Sequence, residues 1–208
     1  MARLYVIGAG GHAKVVIATA EACGFADIEI VDDAAERYPH GVLGRPVRGG
    51  VAGVLADPTA TAVLAIGNNE TRRKLATGAL CRFAVLIHPS AVVHKSVRLG
   101  AGTVVFAGVV LQPDTRIGAH CIVNTSASID HDCVLGDYVH VAPGTRLAGN
   151  VTLDAGVFLG IGAVCVPGVR IGAWTTVGAG AAVVGDLAAG VVAIGVPAKA
   201  RVDGHPYR

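Results

Sequence analysis

His131 stands between two aspartates in the stretch SIDHDCVLGDY, residues 128–138. An imidazole beside a carboxylate has one ring nitrogen fixed as a donor, which leaves the other as a proton acceptor near neutral pH. Asp132 is the expected orienting partner. Cys133, two positions past His131, is expected to point inward, so a covalent thiol route is not expected. A second set of candidates opens the chain. Gly8, Gly10 and Ala13 spell GxGxxA, and Asp32 and Asp33 follow in the next strand pattern. Glycines at such a turn let backbone approach a pyrophosphate, while a helix N-terminus offers N–H groups and positive dipole. An aspartate at the second strand end would accept from a ribose or a base edge. His12 lies just inside the turn. No His, Cys, Asp or Glu set has metal-ligand spacing, and no metal is expected.

These residues depend on two different architectures for their placement. From Ala91 the chain divides into sixes without a gap: AVVHKS, VRLGAG, TVVFAG, and so on to AAVVGD. The third residue of each hexad is Val, Leu or Ile except for Cys165, and the first is always Ala, Val, Thr or Cys. Period six is neither helical nor simple strand alternation; it is a solenoid of short strands. Positions one and three point inward, and positions five and six turn a corner. Three hexads make one triangular coil, giving about five coils stacked about 4.8 Å apart. His131 is a fifth residue, a corner that points out, and Gly149 lies one coil above it. A histidine below a glycine leaves a notch for a ligand.

Ahead of the solenoid, RLYVIG reads as a buried strand, GAGGHAKVVIATAEACG as a glycine turn and helix, DIEIVDD as a second strand, and TAVLAIG as a third followed by a helix. Alternating β and α elements predict a small parallel sheet. Residues 1–84 form the expected nucleotide domain and residues 85–208 the solenoid with its tail. About 80 residues is half a full dinucleotide fold, so a single nucleoside diphosphate fits better than NAD; a purely structural glycine turn is the alternative.

Composition removes several classes. Hydrophobic residues make up 52% and charged residues 15%, which rules against disorder. Net charge is only +2 and aromatics are 4%, so neither a phosphate-tracking nor a base-stacking surface for nucleic acid is expected. The longest uncharged runs, 155–169 and 171–185, are shorter than the roughly 18 residues of a spanning helix. The N-terminus lacks a signal-peptide pattern, so a cytoplasmic location is expected. Five cysteines without a CxxC spacing are expected as buried thiols.

A hexapeptide solenoid behind a half-size nucleotide domain resembles the bacterial nucleotide-sugar N-acetyltransferases related to UDP-N-acetylbacillosamine and GDP-perosamine synthesis. The segments that carry the resemblance are GAGGHAKVV, VDD, AIGNNETRRK, LIHPSA, NTSASIDHDCVLGDYVHVAPG, LAGNV, FLGIG and GVPAKA. The resemblance implies a small Rossmann-like α/β domain followed by a left-handed β-helix, a homotrimer with sites between prisms, and acetyl-CoA-dependent acetylation of the C4 amine of a nucleotide-linked amino sugar. It implies that Gly10, Gly11, His12, Asp32, Asp33 and Gly67 hold the nucleotide sugar. Acetyl-CoA would lie near His140, Gly149, Ile161 and Ala179. His131 would be the base, Asp132 its orienter, and Asn124 would lie near the acceptor amine. Asp132 stands where some relatives carry the longer glutamate, so its reach is the point to check. The alternatives are a sugar (sialic acid) O-acetyltransferase or a non-catalytic β-helix scaffold.

Overall fold

The computed structural model describes residues 3–201; the end of the predicted C-terminal tail lies outside them. The N-terminal unit is a five-stranded parallel sheet in the order β3-β2-β1-β4-β5. Its strands are β1 (Leu4–Ile7), β2 (Ile28–Val31), β3 (Val47–Arg48), β4 (Thr61–Leu64) and β5 (Arg82–Phe83). Its helices are α1 (Gly11–Ala22), α2 (Val51–Ala56) and α3 (Asn69–Ala76). The three long strands match the sequence reading. The two-residue strands β3 and β5 and the short α2 carry too little pattern to be read that way.

From Leu86 to Ile194 every strand is short and pairs in parallel with the strand one coil away, as in Val110↔Ser128, Arg116↔Val134 and Ile122↔His140, and the final strand Lys199–Ala200 pairs antiparallel with Val192–Ile194. The result is a three-sided prism. The first face runs from Leu86–Ile87 through Ile122–Val123 and His140–Val141 to Phe158–Leu159 and beyond; the second carries Val110–Leu111 and Ser128–Ile129, and the third Arg116–Ile117 and Val134–Leu135. First and third hexad positions fill the core, as Val109, Leu111, Val139, Val141, Val157 and Leu159 do, all at 1% exposure or less. Each such aliphatic side chain stabilises by about 1.5–3 kcal/mol on burial. Inward threonines are satisfied by donating to the adjoining side: Thr103 Oγ1 to Gly118 O at 2.8 Å and Thr115 Oγ1 to Asp130 O at 2.9 Å.

The corners have one conformational rule. Every sixth residue from 102 to 180 has a positive φ. Glycine takes that conformation freely and Asp or Asn tolerates it, which explains Gly102, Asp114, Asp132 and Asn150. Bulky exceptions at one edge, His120, Tyr138 and Trp174, carry a backbone cost of order 1–2 kcal/mol. All three make ring contacts, with Phe83, with one another or with Arg73, so the N-terminal unit secures that edge.

The two units share a core. Leu4, Val6, Ala13, Val16 and Ile17 form one apolar cluster with Leu86, Val104, Phe106 and Ile122 of the first prism face. The N-terminal sheet therefore sits on that face. The edge between the second and third faces is the one opposite to it.

Candidate active site

His131 lies on that opposite edge, in the turn after Ser128–Ile129. Its side chain is 53% exposed, and Nδ1 is 2.8 Å from Asp132 Oδ2. A carboxylate only accepts, so Nδ1 carries the proton and donates, and Nε2 is left with its lone pair. Asp132 reaches because its φ of +59° turns the carboxylate back along the corner. The Asp132 hydrogen bond, helped by the charge of Asp130, raises the imidazole above the usual histidine value. The ring lies against the Gly149 backbone: a Cβ built on Gly149 would meet Cε1 at 2.5 Å and Nε2 at 2.6 Å. Gly149 is thus a spacer that leaves room for the ring. Gly149→Ala should displace the imidazole and lower kcat at least about tenfold with little change in melting temperature, because placement errors of about 1 Å cost up to 10²-fold. Parallel kinetics and thermal melts check it.

Cys133 is fully buried; burial pushes its thiol up to about 11, and its Sγ donates to Ala148 O at 3.2 Å. It is in no position to act as a nucleophile.

At the other unit, Gly8 has φ +105°, and a Cβ there would strike Ile66 Cγ1 at 2.9 Å. Gly10, the α1 N-cap, and Gly11 have open space where a Cβ would stand. No side chain caps α1, so no side-chain acceptor occupies its first N–H groups. His12 packs between Phe106 and His140, at ring distances of 5.5 and 6.1 Å. Its Nε2 is buried without a partner among the described residues, and burial, with the Arg72 charge second, lowers it to about 4. Gly67 borders a cleft of about 390 Å³ that α3 residues Asn69 and Glu70 share with Gly156, Phe158, Trp174 and Thr176.

Two expectations need correction. Asp32 and Asp33 are spent on backbone. Asp32 accepts from Ala9 N and Ala34 N, both at 2.9 Å, and Asp33 from Gly50 N and Val51 N at 3.2 and 3.1 Å. Their first role is to hold the glycine turn and the start of α2. His140 does point out of the prism, but the N-terminal unit covers it to 8% exposure. Its Nδ1 faces Gly67 O at 3.3 Å and must donate. Its Nε2 faces Asn124 Nδ2 at 3.4 Å and must accept, since Asn124 Oδ1 takes Thr125 N at 2.8 Å. Burial first and Arg72 next push His140 down to about 3, so it stays neutral with no N–H left for an oxyanion.

The candidate residues do not all converge within one chain. Asn124 lies on the edge between the first and second faces. Ile161, 62% exposed, and Ala179 lie on that same edge, one coil apart, linked through Gly180 N to Ile161 O at 2.8 Å. His131 and Gly149 are across the second face, up to about 20 Å away for a six-residue side. One chain does not bring His131, Asn124 and the Gly8–Gly11 turn together. Sequence reasoning also passed over Arg72, which is 1% exposed with its guanidinium facing both units. A cation in the helix pattern NNETRRK gives no sign that it is buried.

A model of the PglD N-terminal domain matches residues 3–79, and one of the bacterial transferase hexapeptide (six repeats) matches residues 114–149. PerB from Caulobacter crescentus, solved with CoA and GDP-perosamine, is 45% identical with a TM-score of 0.89, covering 97% of this chain and 98% of that one. The acetyltransferase domain of PglB from Neisseria gonorrhoeae FA1090 is 38% identical with a TM-score of 0.90, covering 96% of this chain and 99% of that one. The chain belongs to the bacterial nucleotide-sugar N-acetyltransferase family. Its fold is accordingly a left-handed parallel β-helix behind a Rossmann-like domain. Among curated members of the family, GDP-perosamine N-acetyltransferase of Escherichia coli O157:H7 is 33% identical over 109 residues, 51% of this chain. That match spans 49% of the relative's length, about half.

Proposed function

We propose that the protein transfers the acetyl group of acetyl-CoA to the C4 amine of a nucleotide-linked amino sugar, in the cytoplasm and as a homotrimer. The observation that carries this reading is the His131–Asp132 pair at 2.8 Å on an open edge, with Nε2 free beneath Gly149. The neutral amine attacks the thioester carbonyl. His131 Nε2 takes the proton the nitrogen sheds, and Asp132 stabilises the imidazolium. The tetrahedral intermediate collapses, and the imidazolium returns the proton to the departing CoA thiolate. Backbone N–H groups are left as the oxyanion donors, since His140 is committed. Gly10, Gly11, His12 and Gly67 would seat the diphosphate sugar; Ile161 and Ala179 would border acetyl-CoA. That PerB was solved with both CoA and GDP-perosamine supports the two-ligand reading.

Trimerisation is supported by the separation within one chain. The nucleotide turn sits over the first face and the base on the opposite edge, so a complete site needs a second copy. Neither a metal cluster nor a helix long and apolar enough to cross a membrane occurs among the described residues.

Thiol release from acetyl-CoA tests the proposal. Release with a UDP-, GDP- or dTDP-linked 4-amino sugar, and none with its 4-hydroxyl analogue, is expected. Release with sialic acid instead would make it an O-acetyltransferase, and no release with any of these acceptors would leave a binding scaffold.

The sign of the pH dependence follows from Asp132. The base must be unprotonated, and its partner raises its value. The acid limb of kcat/KM should therefore fall with an apparent pKa above the ordinary 6.5 of histidine. Asp132→Asn, which removes the charge, should move that limb to lower pH and reduce the plateau rate. A full pH–rate profile of both proteins checks it; a limb that stays in place would remove Asp132 from the role.

A further inference from the structure

Arg72 is the largest fully buried side chain in the molecule's described residues, and no carboxylate pairs with it among them. Its five N–H bonds all go to neutral oxygens. Nε donates to His120 O at 3.1 Å, Nη1 to Ile66 O and Gly67 O at 3.0 Å each, and Nη2 to Asn69 Oδ1 at 2.8 Å and Tyr138 O at 2.9 Å. A guanidinium has five donors in a rigid fork, so its capacity is filled.

The acceptors come from both units. His120 and Tyr138 occupy successive left-handed corners on the edge between the third and first faces. At such corners the ladder runs through the preceding carbonyl: Tyr138 N bonds Ala119 O, and Gly156 N bonds Asp137 O. The corner's own carbonyl is left over. Arg72 takes two of these leftover carbonyls, and Asn69 Nδ2 takes the next, Gly156 O at 3.0 Å, along with Val157 O at 3.3 Å. The remaining Arg72 bonds grip Ile66 and Gly67, the strand end that borders the interdomain cleft. Gly67 O also receives His140 Nδ1. Burial lowers Arg72 only to about 10, so the group stays charged at neutral pH.

We propose that Arg72, seconded by Asn69, is a positioning residue for the nucleotide-sugar substrate, a latch that fixes the Ile66–Gly67 turn against the column of corner carbonyls at 120, 138 and 156. The inference rests on the function proposed above. The latch touches neither the His131 edge nor the edge carrying Ile161 and Ala179, so its loss should separate the two substrates.

Arg72→Lys keeps the charge but has three donors and no fork. It should lower kcat/KM for the nucleotide amino sugar at least about tenfold while KM for acetyl-CoA stays within about twofold, the scale set by a displacement of about 1 Å at one substrate only. Arg72→Ala should lose more and regain part of its kcat/KM in millimolar guanidinium, and none in methylammonium. Asn69→Leu should show the same split at smaller size, which keeps the proposal testable if Arg72→Ala does not fold. Unchanged kinetics in Arg72→Lys, or an equal loss for both substrates in Arg72→Lys and Asn69→Leu, would overturn the latch. Calorimetric titration with UDP, GDP and dTDP separates the two proposals. A wild-type protein that binds none of them overturns the function itself. A variant that binds as the wild type does overturns the latch alone.

Discussion

Replacement of His131 by alanine should lower kcat by about 10²- to 10⁴-fold, the usual contribution of a positioned general base. Both KM values should change little. The melting temperature should stay where it is, because the side chain is half exposed and exposed substitutions cost no more than about 0.5 kcal/mol. This contrast is what distinguishes a base from a packing residue. His140 differs in each respect: buried, neutral, bonded through both nitrogens, and placed where its loss would disturb the seam between the two units. His140→Ala should therefore melt earlier, whereas His131→Ala should not. A His131→Ala protein with wild-type kcat would remove the proposed chemistry altogether. One that unfolds early would mean that the corner carries packing the exposed ring does not suggest.

The repeat was legible because its cause is local. Each six-residue unit must put two small or aliphatic residues inward and one residue in a left-handed corner, and that need recurs along the chain. That His131 and Asp132 share an outward corner was legible for the same reason, whereas the reach between them was not. Both residues share one corner, so their meeting depends on the backbone of that corner alone. What else escaped is what depends on the two units touching. His140 follows the outward pattern of its hexad faithfully; nothing in that pattern says that a second unit covers it. Arg72 sits in a polar helix whose sequence looks solvated, yet the helix end is pressed against an edge of orphaned carbonyls. Asp32 and Asp33 fit the expected place of a ribose-binding acid, but the short turn after β1 and the start of α2 both need acceptors, and the aspartates are the nearest. The sequence pattern thus located the acids and missed what they bind first.

The separation of the base from the nucleotide turn has a direct genetic consequence. Gly10 has open space at its Cβ position and an ordinary φ of −72°, so Gly10→Asp should fold. Its carboxylate would stand at the α1 N-terminus where the diphosphate is proposed to sit, and like charges there should abolish binding of the nucleotide sugar. Gly10→Asp and His131→Ala are then two nearly inactive proteins, each damaged in a different half of the site. Within one chain those halves lie on opposite sides of the prism and cannot cooperate. In a trimer whose sites form between copies, a subunit with an intact turn can meet a subunit with an intact base. Co-expressed in equal amounts and mixed at random, the two variants should recover about a quarter of wild-type activity, since each site needs one specific partner on each side. Mixing the separately purified trimers without exchange should recover none. If co-expression also gives none while mixed oligomers are present by mass spectrometry, each site is built from a single chain. The nucleotide turn would then have to swing around the prism to reach its own base. The shared core of Leu4, Val6, Ile17, Phe106 and Ile122 opposes that motion, because it would expose side chains each worth about 1.5–3 kcal/mol on burial.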